Sequence, residues 1–142
     1  MSDAIIDRIG RIHLSWKRHV VQNLAPHGIS PKQIFLLREL RRRRSLTPSE
    51  IAEMFYADRP TTTSMLTTIE RAGWITRRRD PDNGKRVLVE ISAAGVAKLE
   101  SVPERLWRSG RMDLDPEAVL TAAERTTLIR LLDKLDAALE EA

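Results

Sequence analysis

Apolar residues recur at three- and four-residue spacing over residues 4–24, where Ile5, Ile9, Ile12, Trp16 and Val20 form one stripe. That period is the mark of a helix with one apolar face. Ala25-Pro26-His27-Gly28 ends it. The same period predicts a helix over 31–43, with Ile34, Leu37 and Leu40 inward, and a shorter one over 48–56, with Ile51, Ala52 and Phe55 inward. Over 59–72, a turn of about 100° per residue gathers Thr62, Met65, Leu66 and Ile69 on one face. Its opposite face holds Pro60, Thr63, Ser64, Thr67 and Arg71, with Thr61 and Thr68 on the margin and Arg59 at the start. Glu70, on the flank, is the one acid of that segment. After Ser92 the chain returns to helix over roughly 93–109, breaks at Asp113-Leu114-Asp115-Pro116, and ends in a helix over about 122–140. Leu128, Leu131, Leu132, Leu135 and Leu139 give that last helix a wide apolar stripe.

Helix starts are written in the polar positions. Ser30-Pro31-Lys32-Gln33, Thr47-Pro48-Ser49-Glu50 and Thr121-Ala122-Ala123-Glu124 are S/T-x-x-E/Q boxes, in which hydroxyl and N3 side chain each satisfy an orphan backbone N–H. Asp58 is the predicted N-cap of 59–72, and Gly73 its stop. Between residues 74 and 91 the period drops to two. Trp74–Arg78 and Val87–Ile91 read as strands around the turn-rich stretch 79–86, whose Asn83-Gly84 pair signals a β-hairpin with a basic tip. Val87, Val89 and Ile91 alternate, which predicts one buried face on the return strand.

Helix, turn, helix with a small polar outer face, then a basic hairpin, is a winged helix-turn-helix. The chemistry suits duplex DNA, because a helix fits the major groove and short Thr and Ser side chains let its backbone approach base edges. Candidate base-reading residues are Arg59, Pro60, Thr61, Thr63, Ser64, Thr67, Thr68 and Arg71. Arg77, Arg78, Arg79, Lys85 and Arg86 are offered by the hairpin to flanking backbone or minor groove. The run Arg41–Arg44 reads equally as a phosphate clamp or as a solvated helix end that complements the dipole.

Composition agrees with this picture. The chain has 142 residues, 42% hydrophobic and 31% charged, the balance of a folded domain. Net charge is +4, unevenly spread: residues 31–92 carry 13 basic and 8 acidic side chains, residues 93–142 carry 7 and 10. A basic middle beside an acidic C-terminal third is expected of a polyanion-binding module joined to a segment with another task. No cysteine is present, which excludes disulfides, thiolate metal sites and thiol redox sensing. No apolar run is long enough to span a membrane, and Met1-Ser2-Asp3-Ala4 lacks the features of a secretory signal. The cytoplasm is the expected compartment.

Three stretches carry a resemblance: Thr47-Pro-Ser-Glu-Ile-Ala, Ile69-Glu-Arg-Ala-Gly-Trp-Ile-Thr-Arg, and Asp80-Pro-Asp-Asn-Gly-Lys-Arg-Val-Leu-Val-Glu-Ile-Ser-Ala-Ala-Gly. In their order and spacing the chain resembles the MarR-type winged-helix transcriptional regulators over nearly its whole length. The resemblance implies a mainly α fold with a small β-hairpin wing, in which both termini build a helical dimerisation domain around the winged helix-turn-helix. Residues 1–30 and 93–142 are then the dimerisation helices and 31–92 the DNA-binding region of one intertwined domain. It further implies obligate homodimers on pseudo-palindromic promoter sites, commonly as repressors and often released by a small-molecule effector. Members usually carry an acid and an arginine near the wing tip, the arginine entering the minor groove. Asp82 matches the acid, Gly84 stands at the usual arginine position, and Lys85 or Arg86 takes the role.

A dimer is also expected from the residues, since a small core cannot cover wide apolar stripes at both ends of the chain. His13 and Trp16, one turn apart, either line an effector pocket or serve as packed interface residues. The three histidines lack metal-ligand spacing. No Gly-rich phosphate loop and no nucleophile–base pair is present, so neither enzyme nor cofactor is expected. The competing class is a winged helix that binds protein instead of DNA. Such a module would fill the outer face of 59–72 with apolar side chains.

Overall fold

Ser30, Thr47 and Thr121 each start a helix, and in each box both halves form: the hydroxyl accepts the N3 backbone N–H while the Gln or Glu side chain accepts the cap's own N–H. The computed structural model describes residues 3–142. The chain folds as two units, Met1–Trp107 and Arg108–Ala142. The first contains α1 (Ile5–Leu24), α2 (Pro31–Arg43), β1 (Ser45–Leu46), α3 (Pro48–Met54), α4 (Arg59–Arg71), β2 (Ile75–Asp80), β3 (Asn83–Ile91) and α5 (Ala93–Ser101). The second contains a short 3-10 turn, Pro116–Val119, and α6 (Ala122–Glu140).

The core of the first unit is built around α2. Ile34, Leu36, Leu37 and Leu40 are buried there, a wider face than the three residues that periodicity selects, because α2 packs on neighbours on more than one side. Val20, Leu24, Leu46, Ile51, Leu66, Ile69, Ile75 and Val89 are among the residues that join them in this core. Each buried Leu or Ile contributes roughly 1.5–3 kcal/mol of transfer free energy. By contrast, α1 buries only Val20 and Leu24. Ile5 and Ile12 of its predicted stripe are 61% and 64% exposed. In the second unit α6 has no buried residue, and its leucine stripe is half-exposed to exposed.

Four expectations are corrected. The wing is a three-stranded antiparallel sheet in the order β1-β3-β2, not a hairpin alone. Ser45 and Leu46 pair with Glu90 and Val89. A two-residue strand has no periodicity to read. The hairpin turns at Pro81-Asp82, not at Asn83-Gly84, since Asp80 pairs with Asn83 across it. Pro81 presets the turn's φ, and Asp80 Oδ1 accepts the Asp82 N–H at 2.9 Å, so the local chemistry there outcompetes the Asn-Gly signal. Burial on β3 does not alternate cleanly: Leu88 and Val89 are both buried, while Val87 and Ile91 are half-buried. Finally, α5 stops at Ser101, and Val102 is extended (φ −99°, ψ 116°) because Pro103 disfavours helix at the residue before it. A 3-10 turn, Glu104–Leu106, follows.

Two contacts lock the unit internally. Gly95 sits on the base of the wing, where a Cβ would overlap the Trp74 carbonyl oxygen and come within 2.7 Å of Ile91 Cγ1. Glu39 of α2 is only 6% exposed. Arg42, Arg43 and Arg38 close on its carboxylate at 2.7, 3.3 and 3.5 Å. Burial alone would raise the Glu39 pKa. The Arg42 hydrogen bond and the charges of Arg42, Arg38 and Arg43 outweigh it, so the carboxyl lies below its ordinary range.

Gly95→Ala should therefore lower stability by about 2 kcal/mol and the thermal midpoint by several degrees. Gly84→Ala, with nothing within 4 Å of the added carbon, should leave the midpoint nearly unchanged. Because the folded-state pKa of Glu39 is depressed, its contribution is present above the ordinary glutamate range and lost as pH falls through the folded value. Glu39→Gln should cost about 2 kcal/mol at neutral pH, and urea unfolding of wild type and variant should converge below the ordinary glutamate range.

Candidate nucleic-acid interface

The burial of α4 decides which of its residues face outward. Thr62, Leu66 and Ile69, at four- and three-residue spacing, are 3%, 1% and 0% exposed. This pins the opposite face toward solvent. Pro60, Thr61, Thr63, Ser64, Thr68 and Arg71 are exposed there, and Thr67 is half-buried. Asp58 caps the helix by accepting the Thr61 N–H at 2.8 Å, a bond that holds the Asp58 carboxyl below its ordinary pKa. Thr62 Oγ1 donates back to the Asp58 carbonyl and Thr68 Oγ1 to that of Ser64. The Thr61 hydroxyl turns back to the Asp58 carboxylate, whereas, among the described residues, those of Thr63, Ser64 and Thr67 bind nothing within the chain. These three are the free hydroxyls of the face.

Glu70, the one acid of this helix, is neutralised by the wing. Its Oε2 lies 3.3 Å from Arg77 Nε, whose side chain is 28% exposed. Arg77 is thus an inter-element tie three residues up β2 from Asp80, not a residue of the tip. Arg78 pairs with Glu90 at 2.7 Å, and Arg79 Nη1 donates to the Gly84 carbonyl at 2.6 Å. Arg86 Nε lies 3.7 Å from Asp80 Oδ2. Asp82 is exposed in the turn itself. Lys85 is exposed, and among the described residues its ammonium has no partner.

An open groove of about 620 Å³ joins these parts, with Thr47, Ser49 and Glu50 on one wall, Arg59 at the start of α4, and Lys85 and Arg86 on the wing. The Thr47 backbone N–H lowers the Glu50 pKa, with burial opposing and the Thr47 side-chain hydrogen bond and charges of Arg86 and Arg43 adding to it. Glu50 is therefore a fixed anion within a basic surface. The run Arg41–Arg44 divides: Arg42 and Arg43 hold Glu39, Arg41 pairs with Glu100 at 3.6 Å, and Arg44 is exposed at the C-cap of α2.

His13 and Trp16 lie on α1 with ring centroids 6.5 Å apart. A groove of about 720 Å³ follows the same helix, but its walls include Ile6, Gly10, Arg11 and Leu14 and neither of those rings. Arg44 and Tyr56 are the non-glycine residues with positive φ, at 73° and 50°. Tyr56 is not singled out by the sequence pattern. Its left-handed φ is visible only in the backbone. Among the described residues no helix is long and apolar enough to cross a membrane, and no group of three His, Asp or Glu side chains could hold a metal ion.

Comparison with known proteins agrees with this geometry. A MarR family profile matches residues 29–87. The multiple antibiotic resistance protein MarR of Salmonella typhimurium is 31% identical over 79% of this chain and 76% of its own length. The regulator PecS of Dickeya dadantii is 28% identical over 93% of this chain and 80% of its own. Among solved structures, a mutant MarR from Escherichia coli complexed with operator DNA superposes with a TM-score of 0.75 and 26% identity, covering 91% of each chain. The chain belongs to the MarR family of winged helix-turn-helix transcriptional regulators, and is a transcription regulator rather than an enzyme.

Proposed function

We propose that this protein binds specific promoter sites on double-stranded DNA as a homodimer, acts as a repressor of nearby genes and is released by a small-molecule effector. The observation that carries the reading is the outward face of α4. Thr63, Ser64 and Thr67 leave their hydroxyls unpartnered among the described residues, and the helix that carries them starts at Arg59, which lines one groove with Lys85 and Arg86. A 13-residue helix is about 20 Å long, sufficient to lie in a major groove. The operator-bound relative supports the assignment. Thr61, Thr63, Ser64 and Thr67 read bases, while Arg59, Pro60, Thr68 and Arg71 border them.

The wing reaches flanking backbone through Arg79 and Arg86 beside Asp82, with Arg77 tying β2 to Glu70 behind them, and Lys85 is the residue that enters the minor groove. Arg86 is held by Asp80 at 3.7 Å, whereas Lys85 is free. The dimer forms through residues 1–30 and 93–142, whose exposed Ile5, Ile12, Leu128, Leu131, Leu132 and Leu139 are apolar surface that a second copy would cover. Residues 31–92 form the DNA-binding region. His13 and Trp16 either contact that effector or pack in the dimer interface, and the cytoplasm is the compartment.

Titration of labelled DNA from upstream of the protein's own gene, against excess unrelated duplex at near-physiological salt, tests the reading. Binding that survives the competitor supports it. Binding abolished on this DNA and on duplexes selected from genomic fragments contradicts it. Lys85→Ala should weaken binding on all sequences and reduce the salt slope by about one charge, while Thr63→Ala should alter preference at one base position by about 1 kcal/mol. Light scattering at micromolar concentration should return twice the 16.2 kDa chain mass, and a monomer would contradict the dimer.

A further inference from the structure

Tyr56 is exposed, strained and unpartnered at once. It occupies the turn between α3 and α4 with φ at 50°, a left-handed conformation that bulky residues avoid and glycine adopts freely. Its side chain is 91% exposed, and among the described residues its hydroxyl makes no hydrogen bond. Its neighbour Phe55 behaves oppositely, half-buried with its ring 5.7 Å from that of Phe35. Nothing within the chain rewards a tyrosine at Tyr56. Strained positions of this kind concentrate where a ligand is met.

Its place in the chain indicates the ligand. Tyr56 lies two residues before Asp58, the cap of α4, so their Cα atoms are within about 7 Å. The next exposed residues are Arg59, Pro60 and Thr61, the first turn of the helix proposed to enter the major groove. With α4 lying in a groove, the flanking sugar–phosphate wall is the DNA surface that the turn before the helix would meet. Tyrosine hydroxyls are among the common donors to phosphate oxygens. We infer that Tyr56 is a DNA-contacting residue, its hydroxyl donating to a backbone phosphate beside the half-site and fixing the entry of α4. This rests on the DNA-binding reading above and deepens it.

The contact is neutral, which gives it a signature of its own. Lysine or arginine bound to phosphate releases a counterion, whereas a phenol does not. Tyr56→Phe keeps the ring and the backbone strain and removes only the donor. It should reduce affinity about tenfold, the value of one hydrogen bond to a charged group, with the slope of log affinity against log salt unchanged. Tyr56→Gly removes the strain as well. It should raise the thermal midpoint by a few degrees while weakening binding at least as much as Tyr56→Phe. Wild-type affinity in Tyr56→Phe would overturn this inference and leave the DNA-binding reading intact. A loss accompanied by a shallower salt slope would also overturn it, since the contact would then not be neutral. Failure of the wild-type protein to bind any selected duplex would overturn both.

Discussion

The burial of Thr62, Leu66 and Ile69 is the constraint on which the rest depends. These residues fix the rotation of α4 about its own axis, because no other face of the helix is apolar enough to enter the core. Once that rotation is set, the small hydroxyl side chains must point outward, and the polar face becomes a surface rather than a flaw in packing. The elements that receive α4 are α3 and β2, with Ile51 and Ile75 buried on them. Close-packed interiors have low compressibility and transmit strain. A shift of α3 or β2 would turn or tilt α4, so its outward face is as precisely placed as the core beneath it.

Charge follows the same logic of internal fixation. Many guanidinium groups of the DNA-binding body are tied to the body itself: Arg42 and Arg43 to Glu39, Arg77 to Glu70, Arg78 to Glu90, and Arg86 to Asp80. Arg44, Arg59, Arg71 and Lys85 are among those without such a partner. The bound arginines stiffen the scaffold and offset the charge of its ionised carboxylates. The unbound cations, together with the excess of basic residues in 31–92, supply the long-range attraction that a polyanion feels first. Few of the basic side chains counted in the sequence are therefore free to answer for affinity.

The legible parts of the fold were those fixed by local chemistry. Ser30, Thr47, Asp58 and Thr121 announced helix starts because a cap is a contact within four residues, and all four form. Less legible were features decided by distant partners. The strand Ser45–Leu46 exists only because Val89 and Glu90 offer it an edge, and nothing within two residues says so. The hairpin turn was misplaced because two adequate turn signals stood side by side, and the Asp80 side chain decided between them. The end of α5 was overrun although Pro103 marked it. At the site, the outward residues of α4 were readable from period and polarity alone. The pairing of individual wing arginines was not, since it depends on which carboxylate the pleat brings across. Tyr56 was hidden because its meaning lies in a backbone angle.

The most direct measurement is selection of binding sequences from a random duplex pool by the purified protein at near-physiological salt. The account predicts enrichment of a two-fold symmetric motif with half-site centres about one helical turn, roughly 10 base pairs, apart. Positions within each half-site should change when Thr63 or Ser64 is replaced. Recovery of no common motif, with retention that declines uniformly as salt rises, would contradict it. In that event α4 does not read bases, and the chain's attraction to DNA is electrostatic alone.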